Sequence, residues 1–156
     1  MAVYDYRGPV AAAVVGAKLG GAWAAWDALG ADLARRVATD PPEVDVVTWV
    51  TTPARRVRER GVDHAELLAR SVGAAIATPV ARLLVAEAAG HDRDRYRART
   101  ALPGSQILLI DDVVTTGATA VRAAITLRAA GADRVELAVV ARAGSHPLTG
   151  GSRPAL

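Results

Sequence analysis

Residues 106–119 read Gln106-Ile107-Leu108-Leu109-Ile110-Asp111-Asp112-Val113-Val114-Thr115-Thr116-Gly117-Ala118-Thr119. The aliphatic run at 107–110 predicts a strand that is buried on both faces, as in a parallel sheet. Two aspartates follow at its carboxyl end, which is where open α/β sheets bind their ligands. Residues 120–130 then fit a helix that ends before Gly131, with an apolar face made by Val121, Ala124, Ile125 and Leu127/Arg128.

The turn between the aspartates and the helix suits a phosphate group. A helix N-terminus offers free amides and the positive end of its dipole, and Gly117 lets the backbone approach an anion closely. Carboxylates would repel a bare phosphate, but ionised aspartates accept hydrogen bonds from hydroxyl groups. A sugar phosphate meets both demands. The alternative is a generic strand-turn-helix in which the aspartates merely cap the helix.

The same stretch closely resembles the phosphoribosyl-pyrophosphate (PRPP) binding motif of type I phosphoribosyltransferases. That motif consists of a hydrophobic strand, two acidic residues, two hydrophobic residues and a Thr-Thr-Gly-like phosphate loop. The resemblance implies that Asp111 and Asp112 are the catalytic pair that holds the ribose hydroxyls. It also implies a Mg²⁺ cofactor, which this pair would reach mainly through PRPP and water. The 5-phosphate would be held by Thr115, Thr116, Gly117, Ala118 and Thr119.

An arginine-rich loop at 51–61 is the second predicted part of the site. It follows a buried strand at 45–50, and right-handed crossovers would place the ends of strands 45–50 and 107–110 at one edge of the sheet. A pyrophosphate needs backbone amides and cations, and such a loop can supply both. The alternative is a solvated basic turn. The candidate pyrophosphate contacts are Thr51, Thr52, Arg55 and Arg60.

Residues 52–69 look like the signature of the ComF branch, the competence-protein-like phosphoribosyltransferases. That signature is a proline and basic loop, then Arg-Gly, an aromatic, Asn or Asp, and Gln-Ala-Glu-Leu-Leu-Ala. Tyr6-Arg7-Gly8 and Lys18 match its N-terminal pattern, so Lys18 joins the predicted PRPP contacts, with a solvated helix end as the alternative. The sequence departs from the signature at Val62 and His64. It also has no cysteine, whereas family members usually carry an N-terminal zinc ribbon.

The segment that starts at Asp63 predicts a helix to about Ala77. Asp63 can cap its N-terminus, with Glu66 at the capping-box position. His64 at the start of this helix is expected to be a surface group, and a general base is the alternative. The inward positions are Leu67, Leu68, Val72 and Ile76.

The remaining chain completes an α/β fold, a doubly wound parallel sheet with a helical N-terminal segment. We expect one domain over residues 1–142, whose first 40 residues are helical after a turn at 4–8, and a flexible tail at 143–156. Further strands are predicted at 80–85 and 135–141, and a loop at 87–105. A helical stripe in the N-terminal part is expected to enter the core, through Trp23, Trp26, Leu29, Leu33 and Val37.

Composition narrows the setting of the protein. The 156 residues are 51% hydrophobic with a net charge of +3, which is typical of a globular chain. The absence of cysteine excludes disulfides and thiolate metal sites. The sequence shows no signal peptide and no segment long enough to span a membrane, so a cytoplasmic location is expected. A homodimer is compatible with this sequence.

Two functions follow from these patterns. The leading one is PRPP-dependent transfer of a phosphoribosyl group to a nitrogenous acceptor. Relatives that use 6-oxopurines place an aspartate where this chain has Thr115, which argues against hypoxanthine or guanine. The alternative is an accessory protein that senses PRPP or a nucleotide, or that handles single-stranded DNA. In that hypothesis the arginine run at 93–99 holds the phosphate backbone and Tyr96 stacks on a base.

Overall fold

The computed structural model describes residues 1–20, 23–87 and 95–144. Six strands and five helices are formed within these ranges. In chain order they are β1 (Ala2–Asp5), α1 (Gly8–Gly20), α2 (Trp23–Thr39), β2 (Val46–Trp49), α3 (Ala54–Arg60), α4 (His64–Ala75), β3 (Leu84–Glu87), β4 (Arg95–Ala98), β5 (Gln106–Val114), α5 (Ala118–Ala129) and β6 (Arg134–Arg142).

The main sheet is parallel, with the strand order β1-β6-β5-β2. Its central strand β5 pairs with β2 as far as Ile110, opposite Trp49, and with β6 as far as Val114, opposite Arg142. Val47 also forms a parallel bridge with Val80 on the free side of β2. The strand predicted at 80–85 is therefore a single bridge at Val80, followed by β3 from Leu84.

Helices cover both faces of this sheet, because β5 sends successive side chains to opposite sides. Leu108 and Ile110 enter a core that they share with residues of α2 and α4, including Leu33 and Leu68. Ile107 and Leu109 enter a second core that contains Ala123, Ala124 and Leu127 of α5. The predicted doubly wound α/β fold is confirmed.

The first strand, β1, differs from the prediction of a helical start with a turn at 4–8. Four residues are too few to show a period, and their partners lie at the other end of the chain. Val139 N–H donates to the Met1 carbonyl at 3.0 Å, and Tyr6 N–H donates to the Arg142 carbonyl at 2.8 Å. The Tyr4 hydroxyl donates to Asp32 of α2, and this hydrogen bond raises the pKa of Tyr4 above its ordinary value.

The arginine-rich segment after β2 is the helix α3 rather than a loop. Pro53 precedes its first residue with a φ of −53°, which already suits a helix start. Arg55 donates to Glu59 one turn later at 2.9 Å, and Gly61 ends the helix with a φ of 77°. The high charge of this segment suggested a loop, but arginine and glutamate also favour a helix, and the segment is helical.

Strands β3 and β4 form an antiparallel hairpin, and β4 lies inside the predicted 87–105 loop. Tyr96 packs against the second core, whereas the neighbouring Arg97 is exposed. The run Arg95-Tyr96-Arg97-Ala98 is thus a strand, in which successive side chains alternate between the two faces. Its high charge suggested a loop instead. Residues 88–94 lie outside the described residues.

Helix α5 forms where it was predicted, but its inward face is different. Leu127 is fully buried together with Ala120, Ala123 and Ala124, whereas Val121 and Ile125 are 42% and 60% exposed. Small residues face the sheet because they let the helix approach it closely. The size of the side chains was therefore a poor guide to the inward face.

Candidate functional site

The carboxyl ends of β2 and β5 lie side by side. Val50 N–H donates to the Ile110 carbonyl at 2.9 Å, so Thr51 follows β2 at a position next to Asp111 of β5. The crossover rule predicted that the two strands end at one edge of the sheet, and the pairing confirms this. It brings together the two segments that the sequence marked as binding elements, at what we call the carboxyl edge of the sheet.

The acidic pair lies within β5 rather than after it. β5 continues to Val114, and β2 ends opposite Ile110, so Asp111 and Asp112 extend past the neighbouring strand. Both residues are partly exposed. The Asp111 carboxylate accepts the Asp112 N–H at 2.8 Å, and the Asp112 carboxylate accepts the Val113 N–H at 2.6 Å. These bonds orient two carboxylates at a solvent-accessible position.

The turn at 115–119, here named the phosphate turn, leads directly into α5. Thr115 and Thr116 are exposed, and Gly117 precedes the helix with a φ of 81°. Gly117 has no side chain that could cap the helix. The first amides of an α-helix have no partner inside the helix, so this end suits an anion. The Thr116 hydroxyl oxygen accepts a hydrogen bond from the Ala118 N–H at 3.4 Å.

Residues 51–53, here named the 51–53 turn, connect β2 to α3. Thr51 is 1% exposed, and its hydroxyl has no hydrogen-bond partner within the described part of the chain. Thr52 is held by Asp63: its amide donates to Oδ2 and its hydroxyl donates to Oδ1, each at 3.0 Å. Both donors of Thr52 are therefore engaged inside the protein, and Thr51 carries the unpaired hydroxyl.

The predicted cations are not brought to the carboxyl edge by any described contact. Arg55 is exposed and paired with Glu59 on α3. Arg60 ends α3 and Lys18 lies in the last turn of α1, but their side chains are outside the described residues.

The start of α4 differs from the prediction in two ways. Asp63 occupies the N-cap position without a side-chain capping bond, and Glu66 pairs with Arg70 at 2.7 Å instead of closing a capping box. His64 is 7% exposed rather than a surface group, and its ring stacks on Trp26 with centroids 4.3 Å apart. Trp26 is buried, as the helical stripe predicted.

Sequence reasoning missed the role of Asp63. Its Oδ2 accepts the indole N–H of Trp49 at 3.1 Å in addition to the Thr52 amide. A capping signal and a buried carboxylate look the same in sequence, because both place an aspartate just before a helix. Trp49 at the end of a strand was the available clue, since a buried indole N–H usually finds an acceptor.

The donor set at the carboxyl edge fits Mg²⁺. Within residues 1–20, 23–87 and 95–144, no cluster of three or more His, Asp or Glu side chains could hold a metal ion. Mg²⁺ is usually held by one or two carboxylates together with substrate phosphates and water. Asp111 and Asp112 supply oxygen ligands of that kind.

The fold is that of type I phosphoribosyltransferases. The solved structure of the allosteric regulatory enzyme of purine biosynthesis is similar, with a TM-score of 0.56 and 19% identity over 74% of this chain and 26% of that chain. The purine phosphoribosyltransferase of Pyrococcus horikoshii Ot3 has a TM-score of 0.53 and 15% identity, over 83% of this chain and 95% of that chain.

Residues 33–149 match the family model of the phosphoribosyl transferase domain, and the chain belongs to that family. It is 30% identical over 108 residues to the orotate phosphoribosyltransferase of Sulfurovum sp. (strain NBC37-1), a match that covers 65% of this chain. The chain spans 54% of the length of that relative.

None of the helices in the described ranges combines the length and hydropathy that a bilayer crossing requires.

Proposed function

We propose that this protein transfers the phosphoribosyl group of PRPP to a nitrogenous acceptor, with Mg²⁺ as cofactor. The observation that carries the proposal is the pairing of Val50 with Ile110, which puts the 51–53 turn beside the acidic pair. Membership of the phosphoribosyl transferase domain family supports it, as does the similarity to an orotate phosphoribosyltransferase.

Each segment of the carboxyl edge has a separate role in this proposal. Asp111 and Asp112 accept hydrogen bonds from the two ribose hydroxyls. The phosphate turn receives the 5-phosphate through the amides at the start of α5. Thr51 and Thr52 of the 51–53 turn are the proposed contacts of the pyrophosphate, and Lys18, Arg55 and Arg60 are the cations proposed to approach it.

The reaction breaks the bond between ribose C1 and the pyrophosphate oxygen, which keeps the electron pair. A bond forms between C1 and a nitrogen of the acceptor, which loses its proton. Asp111 and Asp112 would hold Mg²⁺ mainly through PRPP and water. Bound Mg²⁺ would neutralise negative charge on the departing pyrophosphate. The protein contributes by fixing the ribose between two anion sites, so that the acceptor meets C1 in the right orientation.

The acceptor is proposed to be a base other than hypoxanthine or guanine. Thr115 is exposed and stands where relatives that use 6-oxopurines place an aspartate. The curated relative acts on orotate, so orotate is the first acceptor to test, by following pyrophosphate release.

Titration calorimetry of PRPP, ribose 5-phosphate and inorganic phosphate tests the proposal. The wild-type protein should prefer PRPP, and this preference should need Mg²⁺. Replacing both aspartates (Asp111→Asn with Asp112→Asn) should weaken PRPP binding about 100-fold or more while the fold survives, because two charge-assisted hydrogen bonds are lost.

Asp27→Asn is the matched control, because Asp27 is an exposed carboxylate on α2 outside the proposed site. It should bind PRPP like the wild type. Equal weak binding of all three ligands to the wild-type protein would contradict the proposal, as would unchanged PRPP affinity in the double variant.

We further propose that the chain belongs to the ComF branch and works in the cytoplasm. The handling of single-stranded DNA is a second candidate function, which the exposed Arg97 of β4 and the exposed Arg99 just after it favour. Arg97 Nε lies 3.7 Å from Glu87 Oε1. Tyr96 packs against the second core, so part of the Tyr96 ring is unavailable for stacking on a base. Oligonucleotide binding that falls steeply with salt and needs no PRPP would support this second function.

A further inference from the structure

The carboxylate of Asp63 faces into the protein rather than along its own helix. Asp63 is 8% exposed and makes no capping bond to α4. It accepts hydrogen bonds from Trp49 Nε1 at 3.1 Å, from the Thr52 amide at 3.0 Å and from the Thr52 hydroxyl at 3.0 Å. Two of these donors belong to the 51–53 turn and the third ends β2. Asp63 thus joins the end of a strand to the start of a helix 14 residues later.

The 51–53 turn depends on these bonds for its shape. On one side, Val50 is fixed to Ile110 of β5. On the other side, the Pro53 carbonyl accepts the amides of Arg56 and Val57 in α3. Between them, both donors of Thr52 go to Asp63, while the buried Thr51 hydroxyl stays unpaired. Asp63 therefore fixes Thr52, the residue next to the buried and unpaired hydroxyl of Thr51.

We infer that Asp63 is a positioning residue, which holds the 51–53 turn in the shape that receives the pyrophosphate of PRPP. The inference rests on the proposed function. Asp63 acts from behind the turn, so it touches no reacting atom. A carboxylate suits this position because its two oxygens accept three bonds at once, which a hydroxyl side chain cannot do.

Three substitutions separate this role from capping of α4. Asparagine can keep all three contacts, because its amide oxygen accepts both N–H groups and its NH₂ donates to the Thr52 hydroxyl. Serine is as good a helix cap as aspartate but is too short to reach Trp49 and Thr52. Alanine keeps neither role. Asp63→Asn, Asp63→Ser and Asp63→Ala should therefore differ in a defined order.

The experiment compares these variants by calorimetry with PRPP plus Mg²⁺ and with ribose 5-phosphate, which lacks the pyrophosphate. Asp63→Ser and Asp63→Ala should lose about 10- to 100-fold in PRPP affinity, since a displaced binding element costs that much. Their affinity for ribose 5-phosphate should stay within about twofold, because the acidic pair and the phosphate turn are untouched. Asp63→Asn should bind both ligands like the wild type.

Hydrogen exchange of the Thr52 amide and the Trp49 indole N–H gives a readout that needs no ligand. Both should exchange faster in the serine and alanine variants and unchanged in the asparagine variant. Normal PRPP binding by Asp63→Ser would overturn the inference, as would an equal loss for both ligands or unaltered exchange at Thr52. If wild-type protein showed no preference for PRPP, the proposed function would fail first, even with the exchange pattern as expected.

Discussion

Gly117 combines an open environment with a restricted backbone. Its φ of 81° lies in the left-handed region, which side chains other than glycine rarely adopt. A Cβ built on it would meet only Val114 Cγ1, at an ordinary distance of 3.8 Å. The requirement for glycine at this position therefore comes from the backbone conformation and not from crowding. This conformation is what turns the chain from β5 into α5.

Gly117→Ala should destabilise the protein by about 1–2 kcal/mol, because alanine is strained at this φ. It should also weaken ribose 5-phosphate binding, since relief of the strain would move the amides of the phosphate turn. Thermal unfolding and calorimetry would measure the two effects. Gly16→Ala in α1 is the control: a Cβ there has open space, and helix propensity should make this variant slightly more stable. Equal effects of both substitutions would refute the assignment.

At this scale, the sequence allowed the residue types of the site to be predicted better than their partners. Asp111, Asp112 and Gly117 could be found because their order along the chain is itself the signal. Asp63 and His64 could not, because their roles depend on Trp49 and Trp26, which lie on other elements. A contact between distant segments leaves no local pattern, so a buried aspartate before a helix reads as a cap.

Helix α5 connects the phosphate turn to the second core. Its inward residues are alanines and Leu127, whereas Val121 and Ile125 face outward. The predicted apolar face placed Ile125 inside. Gly117 fixes the residue at which α5 begins. The rotation of α5 about its axis then decides the direction in which its first backbone amides point.

A pair of substitutions distinguishes the two faces of α5. Leu127→Ala should cost about 2–5 kcal/mol of unfolding free energy, because it leaves a cavity in a fully buried position. Ile125→Ala should change the stability by about 0.5 kcal/mol or less, as expected for a surface site. Denaturant unfolding measures both. A larger loss for Ile125→Ala than for Leu127→Ala would favour the inward face expected from the sequence.

The elements that could be predicted are those with long or uniform patterns. β5, α2, α4 and α5 were found because aliphatic runs and helical periods extend over many residues. β1 and β4 were missed, and the strand predicted at 80–85 overlaps β3 only at Leu84 and Val85. In β4, alternating arginines mark the period of two just as alternating apolar residues would, but charge alone suggested a loop.

Across the whole molecule, the two ends of the sheet carry different groups of residues. The carboxyl edge carries the proposed binding segments. At the amino end, Arg134 Nη2 donates to the Glu43 carbonyl and to Gln106 Oε1, each at 2.6 Å. Arg134 Nε also lies 3.5 Å from Oε1 of the buried Glu136. β5 runs roughly 17 Å from Gln106 to Asp111 at the usual rise of a strand. This amino-end cluster ties β5, β6 and the segment before β2 together, far from the ligand.

Arg134→Ala should therefore separate stability from binding. Removing the guanidinium takes away the cation beside the buried Glu136 carboxylate and two hydrogen bonds, and it should lower the unfolding free energy by about 1–3 kcal/mol. Below the unfolding transition, affinity for ribose 5-phosphate should be unchanged. Arg134→Lys should lie between, because lysine keeps the charge but not the fork of donors. A loss of affinity in the fully folded variant would show that the two ends are coupled.

The overall architecture could be predicted because connection rules leave few choices once strands and helices alternate. The crossover rule placed the ends of β2 and β5 at one edge of the sheet, and their parallel pairing confirms it. The position of β1 at the far edge of the sheet could not be foreseen, because its pairing with β6 joins the two ends of the described chain.

The buried hydroxyl of Thr51 has a consequence for how such a protein can evolve. A buried polar group without a partner costs stability, so the folded state without ligand is less stable than the same fold with valine at this position. Selection for heat resistance alone would favour that replacement, and selection for PRPP binding would oppose it. Thr51 therefore marks a position where a thermophilic lineage and a catalytic one are expected to diverge.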